Sequence, residues 1–194
     1  MNNLFKVICF YSFFLLTFGC AYKLSSSSDG LPGNIKTVFV HPFKNLSNEP
    51  GIEVYFTESI KKEILSSSLI VLKSSDLNSE GYIKGDITEI KIMSSDDSVI
   101  EATKDAKFLP YGTVLSTQVK VEVKVHVELW SQKENKLIWS SDFAQAVNYT
   151  PPQITLPVVN SANNLYNLSA RRQTLESLAQ QMMQLAYDRM VDNF

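Results

Sequence analysis

The sequence has few of the residues from which catalytic and metal sites are built. It contains two cysteines, Cys9 and Cys20, and two histidines, His41 and His126. It has no CxxC pair and no HExxH motif, so it does not predict a zinc or redox centre. It also lacks a glycine-rich phosphate loop and the GxSxG turn of serine hydrolases. We therefore expect neither an enzyme nor a protein that holds a metal or a cofactor.

A strong charge of either sign and a long hydrophobic run are also missing. Eighteen basic and 20 acidic residues give the chain a formal net charge of −2. So balanced a composition argues against binding to nucleic acid, or to an anionic membrane through a basic patch. The most apolar segment, Val7–Phe18, has only 12 residues, whereas a helix needs about 20 to cross a bilayer.

This apolar segment has the form of an export signal. A short start with one lysine, Met1–Lys6, precedes it, and Gly19-Cys20 follows it closely. The arrangement resembles the signal of bacterial lipoproteins, in which the cysteine becomes the lipidated first residue of the mature chain. We predict a signal peptide over residues 1–19 and lipidation at Cys20. The alternatives are a plain secretory signal and a buried cysteine at that position.

The use of cysteine and the residues that follow agree with such an anchor. Removal of the signal takes Cys9 away and leaves Cys20 alone, so no disulfide can form within one mature chain. The next segment is rich in serine and ends in Pro-Gly, which is typical of a flexible tether. We predict a tether over residues 20–33 and a single domain over residues 34–194.

The clearest structural signal is the strict alternation within Gln118–Trp130. Apolar side chains occupy every second position, and most of the positions between them are charged. Because successive side chains of a strand point to opposite faces, this segment predicts a strand with one buried and one wet face. Its apolar residues are Val119, Val121, Val123, Val125, Val127 and Leu129.

Three further strands are predicted before this one. Ile35–Val40 is rich in β-branched residues, and Leu69–Leu72 is wholly apolar and is therefore expected to be buried. In Gly81–Met93 the apolar positions change from odd to even residue numbers. A change of phase within a strand predicts a bulge, here near Thr88–Glu89.

The segment Lys136–Tyr149 is predicted to pair with the central strand as an antiparallel hairpin. The polar turn Ser131–Asn135 separates the two strands. The larger side chains expected on one face of this segment are Leu137, Trp139, Phe143 and Val147.

Two segments have the periodicity of amphipathic helices. The first follows Pro50, and the second covers about Ser169–Met190. The first places on one face Ile52, Tyr55, Phe56, Ile60 and Ile64. The second has an apolar stripe of Leu168, Leu175, Leu178, Ala179, Met182, Leu185 and Ala186. The predicted fold is a two-layer α+β sandwich, with two helices on one face of a mixed, mostly antiparallel sheet of four to five strands.

The segment Ser94–Thr113 has no clear periodicity. Twenty such residues within a compact domain are typical of a functional or mobile loop. A solvated connection between two strands explains the same residues, and the sequence leaves both interpretations open.

Several stretches, taken in order, resemble the LptE-type family of lipopolysaccharide-assembly lipoproteins. They are CAYKL at Cys20, LPGNIKTVFVHPFKN, EPGIEVYFTESIKKEIL, GYIKGDITEIK, KLIWSSDFAQAVNY and the C-terminal RRQTLESLAQQMMQLAYDRMVDNF. They cover nearly all of the chain after Cys20, and their succession carries the resemblance.

The resemblance implies a location and partners. Members of that family are anchored on the periplasmic side of the outer membrane. They lie inside a large β-barrel translocon of the LptD type, which they plug and help to assemble, and they assist the insertion of lipopolysaccharide. The fold that it implies, two helices on a mainly four-stranded sheet, agrees with the fold inferred from periodicity.

Lipopolysaccharide carries phosphates, so contacts with it are expected to involve basic side chains. Lys120 and Lys124, two steps apart on the wet face of the central strand, are the first candidates. Lys104 and Lys107, within Ser94–Thr113, and Arg171 and Arg172, at the start of the C-terminal helix, come next. For each of these residues, the alternative is an ordinary surface charge.

Other classes of envelope protein are the competing hypotheses. A lipoprotein that activates a peptidoglycan synthase usually has a long tether, whereas this tether is about a dozen residues. A subunit of a secretion pore needs a hairpin that inserts into the membrane, and the hairpin here carries charges along its wet face. A periplasmic hydrolase would need a nucleophile or metal motif, and the sequence lacks both.

Overall fold

A computed structural model describes residues 30–94, 99–101, 114–116, 118–150 and 164–192. It contains two α-helices, α1 (Ile52–Ser66) and α2 (Asn164–Asp192), and a short 3₁₀ helix (Asp76–Asn78). Its strands are β1 (Thr37–Val40), β2 (Lys44–Asn45), β3 (Val71–Leu72), β4 (Gly81–Ser94), β5 (Val99–Glu101), β6 (Val114–Ser116), β7 (Val119–Ser131) and β8 (Lys136–Tyr149). Within this part of the chain, no helix has the length and hydropathy that crossing a bilayer requires.

Six of the strands form one mixed sheet. Its order is β3-β1-β4-β7-β8, and β2 pairs separately with β4. β1 runs parallel to β3 and to β4, whereas β7 is antiparallel to both of its neighbours. Both helices pack against one face, so the predicted two-layer α+β sandwich is confirmed. The sheet has six strands rather than four to five, because the segment after β1 adds the two-residue strand β2.

The central strand and the bulge are confirmed. The apolar side chains of β7 from Val121 to Leu129 are at most 1% exposed. In β4 the register with β7 shifts between Ile87 and Glu89, as the change of phase predicts. Thr88 is the extra residue, and its hydroxyl donates to the backbone carbonyl of Lys124 at 3.1 Å.

The hairpin of β7 and β8 is confirmed, but one residue of β8 was assigned to the wrong face. A second register shift lies between Leu129 and Trp130, where Trp139 pairs with Leu129 and Leu137 pairs with Trp130. Leu137 is therefore on the face opposite to Trp139, and it is 39% exposed. This register shift is a bulge, and it places the side chains of the first residues of β8 on the faces opposite to those that alternation predicts. The sequence pattern of β8 alone does not show it.

The prediction that Leu69–Leu72 is a buried strand is wrong in part. Only Val71–Leu72 is a strand, and it lies at the edge of the sheet. Ile70 is buried, whereas Leu69 and Val71 are 42% and 55% exposed. An edge strand is covered on fewer sides than an inner strand, so an apolar run there does not become fully buried.

The helices supply the second layer of the core. Ile52, Phe56, Ile60 and Ile64 of α1 are at most 1% exposed, as their spacing predicts. α2 begins at Asn164, earlier than the predicted start at Ser169. Its buried stripe comprises Leu175, Leu178, Ala179, Met182, Met183, Ala186 and Met190.

Two residues of the predicted stripe of α2 are not buried. Leu168 and Leu185 are 45% and 42% exposed, while the unpredicted Met183 and Met190 are fully buried. α2 contacts both α1 and β8, so the direction of its buried face depends on two neighbours that periodicity alone does not place.

The segment predicted as irregular contains a second, small sheet. Val99–Glu101 pairs in antiparallel fashion with Val114–Ser116. Val99–Glu101 is thus a strand that the sequence did not predict, and both interpretations of the rest of the segment stay predictions. Residues 102–113 lie outside the part of the chain that is described.

Candidate functional site: the open face of the sheet

Both helices cover the same face of the six-stranded sheet. Among the described residues no element forms a second layer on its other face, which we call the open face. Most of its charges come from β4 and β7, and they face each other across the pairing of these strands; Lys44 of β2 and Asp142 of β8 add one charge of each sign. Basic residues oppose acidic ones in the pairs Lys84–Glu128, Glu89–Lys124 and Lys91–Glu122. With Asp86 and Lys120, the two strands contribute four basic and four acidic residues to this face. The open face is thus strongly polar but has almost no net charge.

Ion pairs at the middle of the open face join β4 to β7. The carboxylate of Glu89 accepts hydrogen bonds from the amines of Lys91 and Lys124, each at 2.8 Å. The bond from Lys124, followed by that from Lys91, holds the pKa of the Glu89 carboxyl at about 2. The same carboxylate raises the pKa of the Lys124 amine. The positive charge of Lys124 is therefore already compensated within the sheet.

The histidine of β7 belongs to the same network. His126 Nδ1 lies 2.7 Å from a carboxylate oxygen of Asp142 on β8, and Nε2 lies 3.3 Å from Glu128. The hydrogen bond with Asp142 is the largest cause that raises the pKa of the His126 imidazole, which burial opposes. Protonated His126 would tie β7 to β8 on this face.

One end of the open face is aromatic; we call it the Gly81 end, where β4 begins and β8 begins. The rings of Tyr82 and Trp130 are nearly parallel, with centroids 6.2 Å apart. The amine of Lys84 lies 4.7 Å from the centroid of Tyr82 and 5.6 Å from that of Trp130. The chain before β1 reaches the same end, since a Cβ at Gly33 would lie 3.5 Å from Ile138.

The opposite end of the sheet, which we call the Tyr149 end because β8 ends there, carries one of the predicted basic residues, Lys120. Lys120 is on the open face there, opposite Asn148 of β8 and Met93 of β4. Among the described residues, no carboxylate lies within ion-pair distance of Lys120, in contrast to Lys124 nearer the middle.

Arg171 and Arg172 lie in the helix layer, behind the sheet. Arg171 forms a short ion pair with Glu49, which precedes α1. Both arginines line a cavity of about 400 Å³ together with Tyr55 and Leu175. The structure therefore places the two lysines and the two arginines on opposite sides of the sheet and does not bring them into one cluster.

The partners of these residues were not found by sequence reasoning. Glu89, Asp142 and Glu49 are ordinary acidic residues in the sequence. Asp142 is 16 positions from its partner His126, and Glu49 is 122 positions from its partner Arg171, so no local pattern links them. The alternation of lysine and glutamate in β7 was the one available signal. Within the described residues, no group of three potential ligands could hold a metal ion.

The fold and the open face define a class of protein: a small two-layer α+β domain that offers a broad, polar, charge-balanced sheet to its surroundings. The model of the LptE family, described as lipopolysaccharide-assembly, matches residues 35–190. The chain belongs to this family, and the resemblance noted from its motifs is confirmed.

Several solved structures are similar to the chain at low sequence identity, with TM-scores below 0.5. A neuraminyllactose-binding hemagglutinin homolog from Helicobacter pylori has a TM-score of 0.49 at 10% identity, covering 87% of this chain and 89% of that chain. The PelC dodecamer from Paraburkholderia phytofirmans has a TM-score of 0.44 at 10% identity, with 81% and 88% covered. A minor lipoprotein from Acinetobacter baumannii has a TM-score of 0.42 at 15% identity, with 80% and 95% covered. No curated protein sequence matches the chain.

Proposed function

We propose that this protein is a non-catalytic outer-membrane lipoprotein, anchored through Cys20 on the periplasmic side. It plugs a β-barrel lipopolysaccharide translocon of the LptD type, helps to assemble it, and assists the insertion of lipopolysaccharide. The observation that carries this proposal, beside the family, is the charge balance of the open face. A domain inside a water-filled barrel needs a surface that hydrogen-bonds well and does not concentrate charge of one sign.

The two ends of the sheet suit this arrangement. The chain that leads from Cys20 reaches the domain at the Gly81 end. Lys120 and the two arginines lie at the Tyr149 end, and β8 connects the ends over 14 residues, or about 45 Å. A domain anchored at the Gly81 end would direct these basic residues away from the anchoring leaflet, towards the path of an anionic lipid.

The contacts with lipopolysaccharide phosphate belong to this proposal. Lys120 is the leading candidate, because its amine has no carboxylate partner among the described residues. Lys124, Arg171 and Arg172 are the other candidates. To bind a phosphate, Lys124 would have to weaken or break its ion pair with Glu89, and Arg171 its ion pair with Glu49.

The test is an affinity purification from detergent-solubilised outer membranes with a C-terminally tagged chain. We expect the wild type to recover a β-barrel protein in a one-to-one ratio, identified by mass spectrometry. Recovery of a peptidoglycan synthase, or of a ring of this chain without a barrel, would overturn the proposal in favour of the competing classes.

A pair of charge variants tests whether the open face makes the contact. Lys124→Glu reverses a charge in the middle of that face, and Lys62→Glu makes the same change on the exposed surface of α1. We expect at least a fivefold loss of barrel with Lys124→Glu and no loss with Lys62→Glu, at equal thermal stability. Equal recovery would show that the barrel does not contact the open face.

The anchor has its own test. Metabolic labelling with palmitate is expected to mark the wild-type chain and not Cys20→Ser. Labelling of both proteins, or of neither, would contradict lipidation at this residue.

A further inference from the structure

β8 is the outer strand of the six-stranded sheet, and it is long. It pairs with β7 along one side. Along its other side, no strand among the described residues pairs with it. Its 14 residues therefore present a row of backbone N–H and C=O groups about 45 Å long that a further strand could use. The opposite edge, β3, has only two residues and cannot serve in this way.

From Trp139 to Tyr149, and within the described part of the chain, the edge of β8 lacks the features that usually prevent such pairing. Proteins protect edge strands with lysines, prolines, bulges or a covering element. From Trp139 to Tyr149 the register with β7 is regular, without a bulge. The segment from Ser140 to Tyr149 contains no lysine and no proline, and its one charged residue is Asp142. On the open face its exposed side chains Ala144 and Ala146 are small, so another backbone can approach closely.

A groove runs beside this edge, between β8 and α2. Its first part is a cavity of about 270 Å³ with Val147, Tyr149, Ser177 and Leu178 in its lining. The hydrogen bond from Gln145 to Gln181, at 3.1 Å, crosses between the strand and the helix.

The second part of the groove continues towards the Gly81 end. It is a cavity of about 260 Å³ whose lining includes Phe143, Met182 and Leu185. Arg189 is the basic residue there, and its guanidinium lies 5.3 Å from the centroid of the Phe143 ring. A strand added to β8 would direct every second side chain towards this groove, whose lining is uncharged in the first part and has one acidic and one basic residue, Asp142 and Arg189, in the second.

We propose that an extended segment of the barrel partner adds to the free edge of β8 as a seventh strand of this sheet. The backbone groups of the edge select an extended polypeptide, and the groove selects apolar or neutral polar side chains at alternate positions. Charge complementarity supports this choice, because Asp142 and Arg189 are the only charged residues in the lining of the two cavities, so a segment with several charges would leave most of them without partners. The inference rests on the proposed function, since it identifies which surface holds the barrel.

Photo-crosslinking locates the contact directly. Benzoylphenylalanine at Gln145, on the β8 edge, is expected to crosslink to one short contiguous segment of the barrel. The same probe at Lys73, next to the opposite edge β3, is the control and should not give that product. Equal crosslinking from both positions, or none from Gln145 in a purified complex, would overturn the inference.

Two proline variants test the backbone pairing. In a strand, the N–H groups of neighbouring residues point to opposite edges, so Ala144→Pro and Gln145→Pro remove one bond to β7 and one free edge donor. The variant that keeps the wild-type melting temperature identifies the outward N–H. We expect that variant to lose at least tenfold in barrel recovery, and recovery at the wild-type level would overturn the inference.

A substitution that adds a charge completes the set. Ala146→Lys places a lysine on the open-face side of the β8 edge, and Ala146→Ser is the uncharged control. We expect tenfold lower recovery with Ala146→Lys and unchanged recovery with Ala146→Ser, whereas equal recovery from both would overturn the inference.

If wild type itself recovers no barrel, the proposed function fails instead. If light scattering shows a wild-type dimer that Ala146→Lys abolishes, the edge belongs to a second copy of the chain and the inference is overturned.

Discussion

The ring of Phe43 lies directly against Gly85. A Cβ built on this glycine would be 2.2 Å from Cε2 of Phe43. Phe43 is 3% exposed and stacks on Phe56 of α1 with centroids 6.3 Å apart. The segment after β1 and the helix α1 can therefore reach the sheet only because β4 has no side chain at this position.

Gly85→Ala is expected to destabilise the fold. The added methyl group must displace a buried ring, and overpacking of this kind typically costs about 1–3 kcal/mol. Chemical denaturation would measure the free energy of unfolding. The double variant with Phe43→Leu should lose less stability than the two single variants together, because the shorter side chain leaves room for the methyl group. Additive losses would contradict this account.

Arg171→Ala is expected to lower stability, whereas Arg172→Ala is not. Arg171 pairs with Glu49, whose side chain is only 17% exposed, and the substitution leaves that carboxylate without its partner. We expect a loss of roughly 1 kcal/mol, reduced by the partial exposure of the pair. Arg172 is exposed beside it, so its removal should change the free energy of unfolding by less than about 0.5 kcal/mol. Equal losses would mean that the ion pair does not stabilise the fold.

The stability of the domain is expected to depend on the protonation of His126. The pKa of this imidazole is raised above its ordinary value of 6.5 in the folded protein, chiefly by Asp142. Because the pKa is raised in the folded state, the stabilisation of the fold by protonated His126 is fully present below about pH 6.5. It is lost as the pH rises through the folded-state value. The melting temperature should therefore fall between pH 6 and pH 8, and Asp142→Asn should reduce this fall.

The charged groups around the imidazole define the controls for that experiment. Glu128 lies on the same strand, Asp142 on β8 and Asp86 opposite on β4. Titration by NMR measures the pKa of the His126 imidazole directly. A His126 pKa at or below 6.5, or one that Asp142→Asn leaves unchanged, would contradict the prediction.

Lys120→Gln is expected to weaken the binding of purified lipopolysaccharide more than Lys124→Gln. Lys124 is neutralised by Glu89, so removing its charge changes the open face less. Fluorescence titration of the unlipidated domain would give both dissociation constants, and a severalfold difference is expected. Lys84→Gln, at the aromatic end, is the matched control.

A companion variant tests the role of Glu89 in that ranking. Glu89→Gln releases Lys124 and Lys91 from their shared carboxylate and should strengthen binding of the lipid. Weaker binding by Glu89→Gln, or an equal effect of all three lysine variants, would argue against phosphate recognition on the open face.

The regular parts of the fold could be predicted because their patterns are local. The strict alternation of apolar residues in β7 predicts its buried face, and the change of phase within β4 predicts the bulge at Thr88. The faces of Leu137 and Leu185 could not be predicted in this way. The first depends on a bulge in the pairing with β7, and the second on how α2 packs between α1 and β8.

In the candidate site, too, the local features could be predicted from the sequence and the contacts between elements could not. The alternation of lysine and glutamate in β7 already determined that one face of this strand is wet and charged, and the order of the motifs already indicated the family. Only the tertiary structure decided which charges are compensated, because Glu89 meets Lys124 and Asp142 meets His126 across strands. It also placed α2 beside β8, which creates the groove along the free edge. A pattern in sequence reports the periodicity of one element, whereas pairing between elements depends on register and direction, which no single element contains.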